Sequence, residues 1–280
     1  MPSWRNNLKL PEELNNTNTI DWERVSNAEE ALGITNALFP RGFVFSQTDL
    51  ELTPKLTHFE CIPTPVGKLY ADTSRGKPLV ASHNETTVIV LGRLITLLED
   101  EPQSLVEALA SSFDTSQDSF HELLDWASGR YVIIVFRDGA VRFYHDVFAT
   151  RTVYYHRDSG SVASHVNLLL PLQNSITEPE HTAAAENLYR WWDSTSYPHI
   201  ASLMSNHYLE LYGPEDVPLV SRYWPRTDNP FLEYSDSSRY DEIVALWERG
   251  LCRLERTCDS IALSLTGGQD SRFMLAMSSR

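Results

Sequence analysis
Apolar positions along this chain fall into two rhythms, one of strands and one of helices. From residue 43 onward, short β-branched and aromatic runs recur between Pro, Gly and Asx turns. Phe43-Val44-Phe45 is one such run and Thr57 to Ile62 another, punctuated by Pro63, Pro65 and Gly67. Thr86 to Leu91 reads as a buried strand. Leu105, Val106, Leu109 and Ala110 recur at helical spacing and predict a helix over Pro102 to Phe113. A second helix is predicted over His121 to Ala127, and a helical patch over Asn27 to Leu38 within an otherwise polar first forty residues. The clearest hairpin pairs Tyr131–Phe136 with Ala140–Tyr144 across Arg137-Asp138-Gly139, since Asp-Gly supplies the positive φ of a tight turn. Thr152–His156 then leads through Asp158-Ser159-Gly160 into Ser161–Ser164. Antiparallel strands with helices between them imply an α+β layered domain.

The pattern changes further on. His181 to Trp192 predicts a helix carrying Leu188, Trp191 and Trp192. Pro214, Pro218, Pro225 and Pro230 lie among polar residues, which places a boundary between a domain over 1–225 and a second over 226–280. Ser237 or Ser238 is the expected cap of a helix reaching about Arg256, with Ile243, Val244, Leu246, Trp247, Leu251 and Leu254 as its buried stripe. Ile261 to Leu265 reads as a short buried strand, a glycine loop follows, and a helix is predicted from Ser271 to Arg280.

Composition narrows the classes. The formal net charge is −15, a surface that repels phosphate backbones, so nucleic acid is excluded as the default partner. Three cysteines, Cys61, Cys252 and Cys258, form no CxxC and no readable disulfide framework, which fits a reducing compartment. The nine histidines show no HExxH or Cys/His ligand spacing, so no metal site built from protein groups alone is expected. Met1-Pro2-Ser3-Trp4-Arg5 does not open a signal peptide, and the longest apolar run, Val88 to Leu98, is interrupted by Gly92 and Arg93. No membrane partner and a cytoplasmic location are the expectation.

One string carries chemistry. Thr266-Gly267-Gly268-Gln269-Asp270-Ser271 lies between an apolar run and a predicted helix. Strand, Gly-Gly loop and helix form a phosphate-binding arrangement. The glycines admit close backbone approach and positive φ, and the first N–H groups of the helix, at Asp270 to Phe273, favour an anion. Thr266 and Ser271 add hydroxyls, Asp270 serves as cap or as a ligand to Mg²⁺, and Arg272 is either a phosphate fork or a solvated side chain. A structural loop is the competing reading. No Gly-Lys-Ser/Thr is present, so this is not a Walker A loop. His145, Asp146 and Ser164 have the residue types of a hydrolase triad, but no Gly-x-Ser-x-Gly accompanies them. The Trp191-Trp192 pair reads as core or domain interface rather than as a base-stacking platform.

At these residues the chain resembles the PP-loop ATP pyrophosphatases of the asparagine-synthetase group. Ile261 to Arg272 is similar to that group's signature, with Thr266 where Ser is usual. Gly129 to Phe136 and His145 to Tyr155 are similar to its Arg-Asp-x-Phe-Gly-x-Arg-Pro-Leu-Tyr-Tyr region, Val162-Ala163-Ser164 to its Phe-Ala-Ser, and Asn206–Leu209 with Arg222-Tyr223-Trp224 to its linker. The resemblance spans roughly 85 to 280. It implies a glutaminase-like Ntn-type sandwich followed by the start of an α/β PP-loop domain of the adenine nucleotide α-hydrolase-like kind. It implies a ligase using ATP and Mg²⁺: a small-molecule or peptide carboxylate attacks the α-phosphorus, pyrophosphate leaves, and an amine then takes the acyl group. Thr266, Gly267, Gly268, Gln269, Asp270, Ser271 and Arg272 would grip pyrophosphate, with Asp270 and Ser271 as the catalytic pair and Leu265 near the adenosine.

The chain also departs from the family. Glutamine-hydrolysing members expose a nucleophilic N-terminal Cys; here residue two is Pro2, and Cys61-Ile62-Pro63 reads as a buried structural cysteine. Gly92-Arg93-Leu94 stands where Asn-Gly-Glu would hold glutamine. The expectation is a degenerate glutaminase fold whose amine comes from elsewhere, as in β-lactam synthetases and lasso-peptide cyclases. The chain stops nine residues after Ser271, so a fragment or half of a split enzyme is expected, completed by a partner chain or a further C-terminal segment. Two other classes stay open: a PP-loop enzyme of tRNA thiolation or lysidine formation, and a non-catalytic binding or scaffolding module.

Overall fold
The computed structural model describes residues 22–36, 38–48, 50, 52, 56–98, 101–170, 193–195, 197, 199–214, 216–226 and 235–278. Its body is a sandwich of two six-stranded sheets in which every pairing of named strands is antiparallel. The strands are β1 (Phe43–Ser46), β2 (Phe59–Ile62), β3 (Lys68–Asp72), β4 (Leu79–His83), β5 (Thr86–Thr96), β6 (Ala127–Arg137), β7 (Ala140–His145), β8 (Tyr154–His156), β9 (Ser161–Ala163), β10 (Ile200–Ser202), β11 (His207–Leu211) and β12 (Leu219–Arg222). The first sheet runs β10-β8-β9-β1-β3-β2 and the second β12-β11-β7-β6-β5-β4. Two early strand groups and two late ones are therefore interleaved.

Strand parity explains why the central runs are apolar throughout. Ile89, Leu91, Val132, Ile134, Phe136 and Phe143 face Phe43, Phe45 and Leu69 of the other sheet. Phe45 meets Phe143 at 5.4 Å and Phe136 at 6.0 Å between ring centroids. The alternate residues Val88, Val90, Tyr131, Ile133 and Val135 belong to a separate core beneath helices α2 (Pro102–Thr115) and α3 (Gln117–Leu124). With both faces covered, a strand loses the polar alternation of a half-exposed sheet. The outer face of the first sheet is closed by α4 (Val166–Leu169) with Phe39, Leu50 and Leu56. The α+β layering expected from the sequence is what the chain adopts.

Local signals set the element ends. Pro102 opens α2, whose buried Leu105, Val106, Leu109, Ala110 and Phe113 form one stripe. Ser116 caps α3 by accepting the Ser119 N–H at 3.1 Å. At the β6–β7 turn Asp138 and Gly139 carry φ of 52° and 76°, as their sequence predicts. Helix α1 covers Trp22–Leu32 rather than 27–38. It stops because Gly33 turns left-handed (φ 61°), with Ile34 N–H on Glu29 O and Gly33 N–H on Glu30 O.

The C-terminal third corrects several expectations. Helix α5 spans Asp236–Thr257, but its cap is Ser235, which accepts from Ser238 N, rather than Ser237 or Ser238. None of its side chains is fully buried: of the expected apolar stripe Val244, Leu246, Leu251 and Leu254 are half-buried, while Ile243 and Trp247 are 47 % and 41 % exposed. It is held to the sandwich mainly by polar links, Arg249 Nη1 to Leu97 O at 3.2 Å and Arg253 Nη2 to Leu98 O at 2.8 Å. Ile261–Leu265 is not a strand and is not buried. A strand exists only beside a partner, and among the described residues none pairs with this run. Helix α6 (Gln269–Ser278) begins two residues before its predicted start, with Phe273 edge-on to Trp247 at 5.9 Å. The helix predicted over His181–Trp192 lies outside the described residues.

Candidate functional site
The loop singled out in the sequence sits at the head of α6. Thr266 and Ser271 close it on itself: their hydroxyl oxygens lie 3.0 Å apart, and Ser271 Oγ accepts the Thr266 N–H at 3.0 Å. The Ser271 hydroxyl also reaches Thr266 O at 3.0 Å and Gly268 O at 3.3 Å. Thr266 Oγ1 accepts the Gly268 N–H at 3.2 Å, and Arg272 Nε donates to Gly268 O at 3.2 Å. Arg272 is thus folded back as a helix brace in this arrangement. Neither Gly267 nor Gly268 takes a positive φ, contrary to expectation, because the two hydroxyls shape the turn without one. A Cβ placed on Gly267 would meet nothing within 4 Å. The first-turn N–H groups of Gln269, Asp270 and Ser271 have no carbonyl of the preceding helical turn to donate to. All of Leu265 to Asp270 is exposed.

The residues of the hydrolase triad do not converge. His145 is buried with Nδ1 2.8 Å from Asp146 O and Nε2 2.9 Å from Met204 O. Burial lowers its pKa, while two carbonyls facing both nitrogens act the other way. The Asp146 carboxylate accepts the Thr150 and Arg151 N–H groups at 3.0 Å each, so it shapes the 147–151 turn. Ser164 Oγ accepts the Phe43 N–H at 2.8 Å and meets His165 Nδ1 at 2.8 Å. These are tethers between β1 and its neighbour β9. Cys61 corrects its expectation too: it is exposed on β2 rather than buried, because β2 is an edge strand whose second and third residues face out. Gly92 and Arg93 lie in β5 opposite Tyr131 and Arg130. Sequence reading met Arg151 only inside the family-like stretch His145–Tyr155 and gave it no role of its own.

Among the described residues no group of three or more His, Cys, Asp or Glu is arranged to hold a metal ion. No helix of these residues is long and apolar enough to cross a membrane.

No protein-family model matches the chain, and no curated protein does. Solved structures do. The glutamine phosphoribosylpyrophosphate amidotransferase of B. subtilis, complexed with ADP and GMP, aligns at TM-score 0.38 and 10 % identity over 67 % of this chain and 44 % of its own. A structure described as the allosteric regulatory enzyme of purine biosynthesis aligns at 0.37 and 11 % identity over the same shares. A protein of Pseudomonas aeruginosa PA01 described as a predicted glutamine amidotransferase aligns at 0.25 and 5 % identity over 65 % of this chain and 81 % of its own. The chain thus spans under half the length of the first two.

Proposed function
We propose that this chain belongs to an ATP-dependent amide-forming ligase of the asparagine-synthetase type, in which a glutaminase-like sandwich without glutaminase chemistry precedes a pyrophosphate-binding segment. The observation that carries the reading is the Thr266–Arg272 string at the head of a ten-residue helix, with open space at Gly267 and unspent N–H groups behind it. Those N–H groups and the helix dipole suit the β- and γ-phosphates of ATP. Thr266 and Ser271, now bonded to each other, would turn their hydroxyls outward onto pyrophosphate oxygens. Asp270, exposed in the first turn, would hold Mg²⁺, which would supply charge neutralisation between phosphates. Arg272 would exchange Gly268 O for phosphate. The reaction is attack of a carboxylate on the α-phosphorus with loss of pyrophosphate, followed by transfer of the acyl group to an amine.

The exposed, unpaired run Ile261–Leu265 favours a second reading, a non-catalytic binding module that keeps the loop without a backing strand. Pyrophosphate release from Mg·ATP by the product of the complete reading frame, supplied with carboxylate substrates, separates the two. The ligase reading expects release that falls roughly a hundredfold or more in Asp270→Ala. If that product neither binds ATP nor releases pyrophosphate, the ligase reading is wrong and the binding module stands.

A further inference from the structure
We infer that Arg41, Arg130 and Arg151, gathered at one end of the two sheets, form an oxyanion-binding site for a small molecule bearing a phosphoryl or carboxylate group. The site lies on the sandwich and is independent of the Thr266–Ser271 loop.

The three arginines come from distant parts of the chain. Arg41 leads into β1, Arg130 lies in β6 and Arg151 ends the turn ordered by Asp146. Arg130 shares the strand parity of Val132 and Ile134, which face the first sheet. Arg151 crosses between the sheets: its Nη2 donates to Arg41 O at 2.5 Å. Its Nη1 rests where Gly92 has no side chain; a Cβ there would fall 2.3 Å from that nitrogen. Arg130 Nη2 donates to Thr150 O at 3.0 Å, on the residue before Arg151. Arg93 stands directly opposite Arg130 in the β5–β6 register, with its Nη1 turned to Cys258 Sγ at 2.6 Å.

Such crowding of like charge is costly unless something offsets it. Among the described residues Asp72 and Asp146 offset it only in part. Asp72 spends its oxygens on the Arg41 N–H at 2.6 Å and on Ser74, and Asp146 spends its own on Thr150 and Arg151 N–H. Among the described residues none of the four arginines forms an ion pair. Arg151 Nε is buried without a hydrogen-bond partner among the described residues. Burial, then the charges of Arg41 and Arg130, outweigh the opposite pull of Asp72 and Asp146 and bring the Arg151 pKa down to about 10. A brace for the Arg41 carbonyl would need one N–H donor, and leaves the approach of the other guanidinium groups unexplained.

The backbone that presents Arg41 is also held off its ordinary conformation. Phe39 and Arg41 carry φ of 52° and 58°, and the turn is fixed by the Arg41–Asp72 bond and by Asp72 N–H on Gly42 O at 2.9 Å. Strain held in place by surrounding bonds is a mark of functional positions. Arg41 and Arg130 are exposed while Arg151 is half-buried, which gives the site an open mouth and a fixed floor. Guanidinium forks match the paired oxygens of phosphate and carboxylate, the chemistry shared by both ligand sources.

Calorimetric titration of the full chain with inorganic phosphate, and separately with glutarate, in low-chloride buffer tests the site. Binding of either anion is expected, and which one binds identifies the source. Arg41→Gln and Arg130→Gln, at exposed side chains, should each weaken binding about tenfold or more, and Arg151→Gln should abolish it. Arg222→Gln, at an exposed arginine of β12 outside both sites, should leave it unchanged. Circular dichroism checks folding; if Arg151→Gln unfolds, the two exposed variants decide. Absence of binding by both anions, or binding indifferent to the arginine substitutions, would overturn the inference.

Discussion
At the scale of single residues, burial of ionisable rings makes the fold sensitive to acid. His121 lies in the last turn of α3 at 8 % exposure, its ring among Phe120, Tyr144, Tyr208 and Tyr223. Burial chiefly, against Asp118 and with Arg226, pushes its pKa down to about 4. The unfolded chain takes up this proton near pH 6.5, the folded one only near pH 4. The contribution is therefore complete above about pH 6.5 and is lost as pH falls through that window, about 3 kcal/mol in all. Urea unfolding at pH 7.5 and pH 5 should show the loss, and His121→Phe should flatten it by up to about one proton. An unchanged pH slope in the variant would place the linkage elsewhere, for instance in His145, His156 or His165, whose pKa values burial also lowers. Residue-level chemistry was legible only where it was contiguous. Thr266 to Arg272 announces itself as a string, whereas Arg41, Arg93, Arg130 and Arg151 meet only after the two sheets form.

Elements were legible where one signal settled them. The β6–β7 hairpin has a turn dipeptide and two apolar strands, and α2 has one clean stripe. Strands β3, β4, β11 and β12 escaped because they are short and their polar residues mask alternation. All four residues of β12 are exposed, and β11 begins with half-buried His207 and Tyr208, which resembled a linker. Ile261–Leu265 failed in the other direction: apolarity predicts burial only where another surface supplies it. Helices α5 and α6 follow the same logic, with few buried side chains; α5 reaches the sandwich through Arg249 and Arg253, and α6 packs on α5 through Phe273. Hydrogen exchange should release their amides at least about a hundredfold faster than those of β5 and β6, by local opening. Equal protection across both regions would mean that α5 is anchored more firmly than its contacts indicate.

For the whole molecule, the interleaving of the two sheets orders events in time. Strands β4 to β7 are neighbours in both sequence and space, so the central second sheet forms from contacts of short range. In the first sheet β1 pairs with β3 on one side, but on the other with β9, where Phe45 meets Val162. Closing that pair requires the intervening chain to be looped out, which is slow. During synthesis the β1–β3 ribbon must therefore wait with one edge open and Phe43 and Phe45 in need of a facing sheet. Pulsed exchange during refolding should find β5–β7 amides protected before those of β1; simultaneous protection would refute the order. The strand that Arg41 leads into is thus among the last to be locked, and the arginine cluster can assemble only on a molecule that has otherwise finished folding.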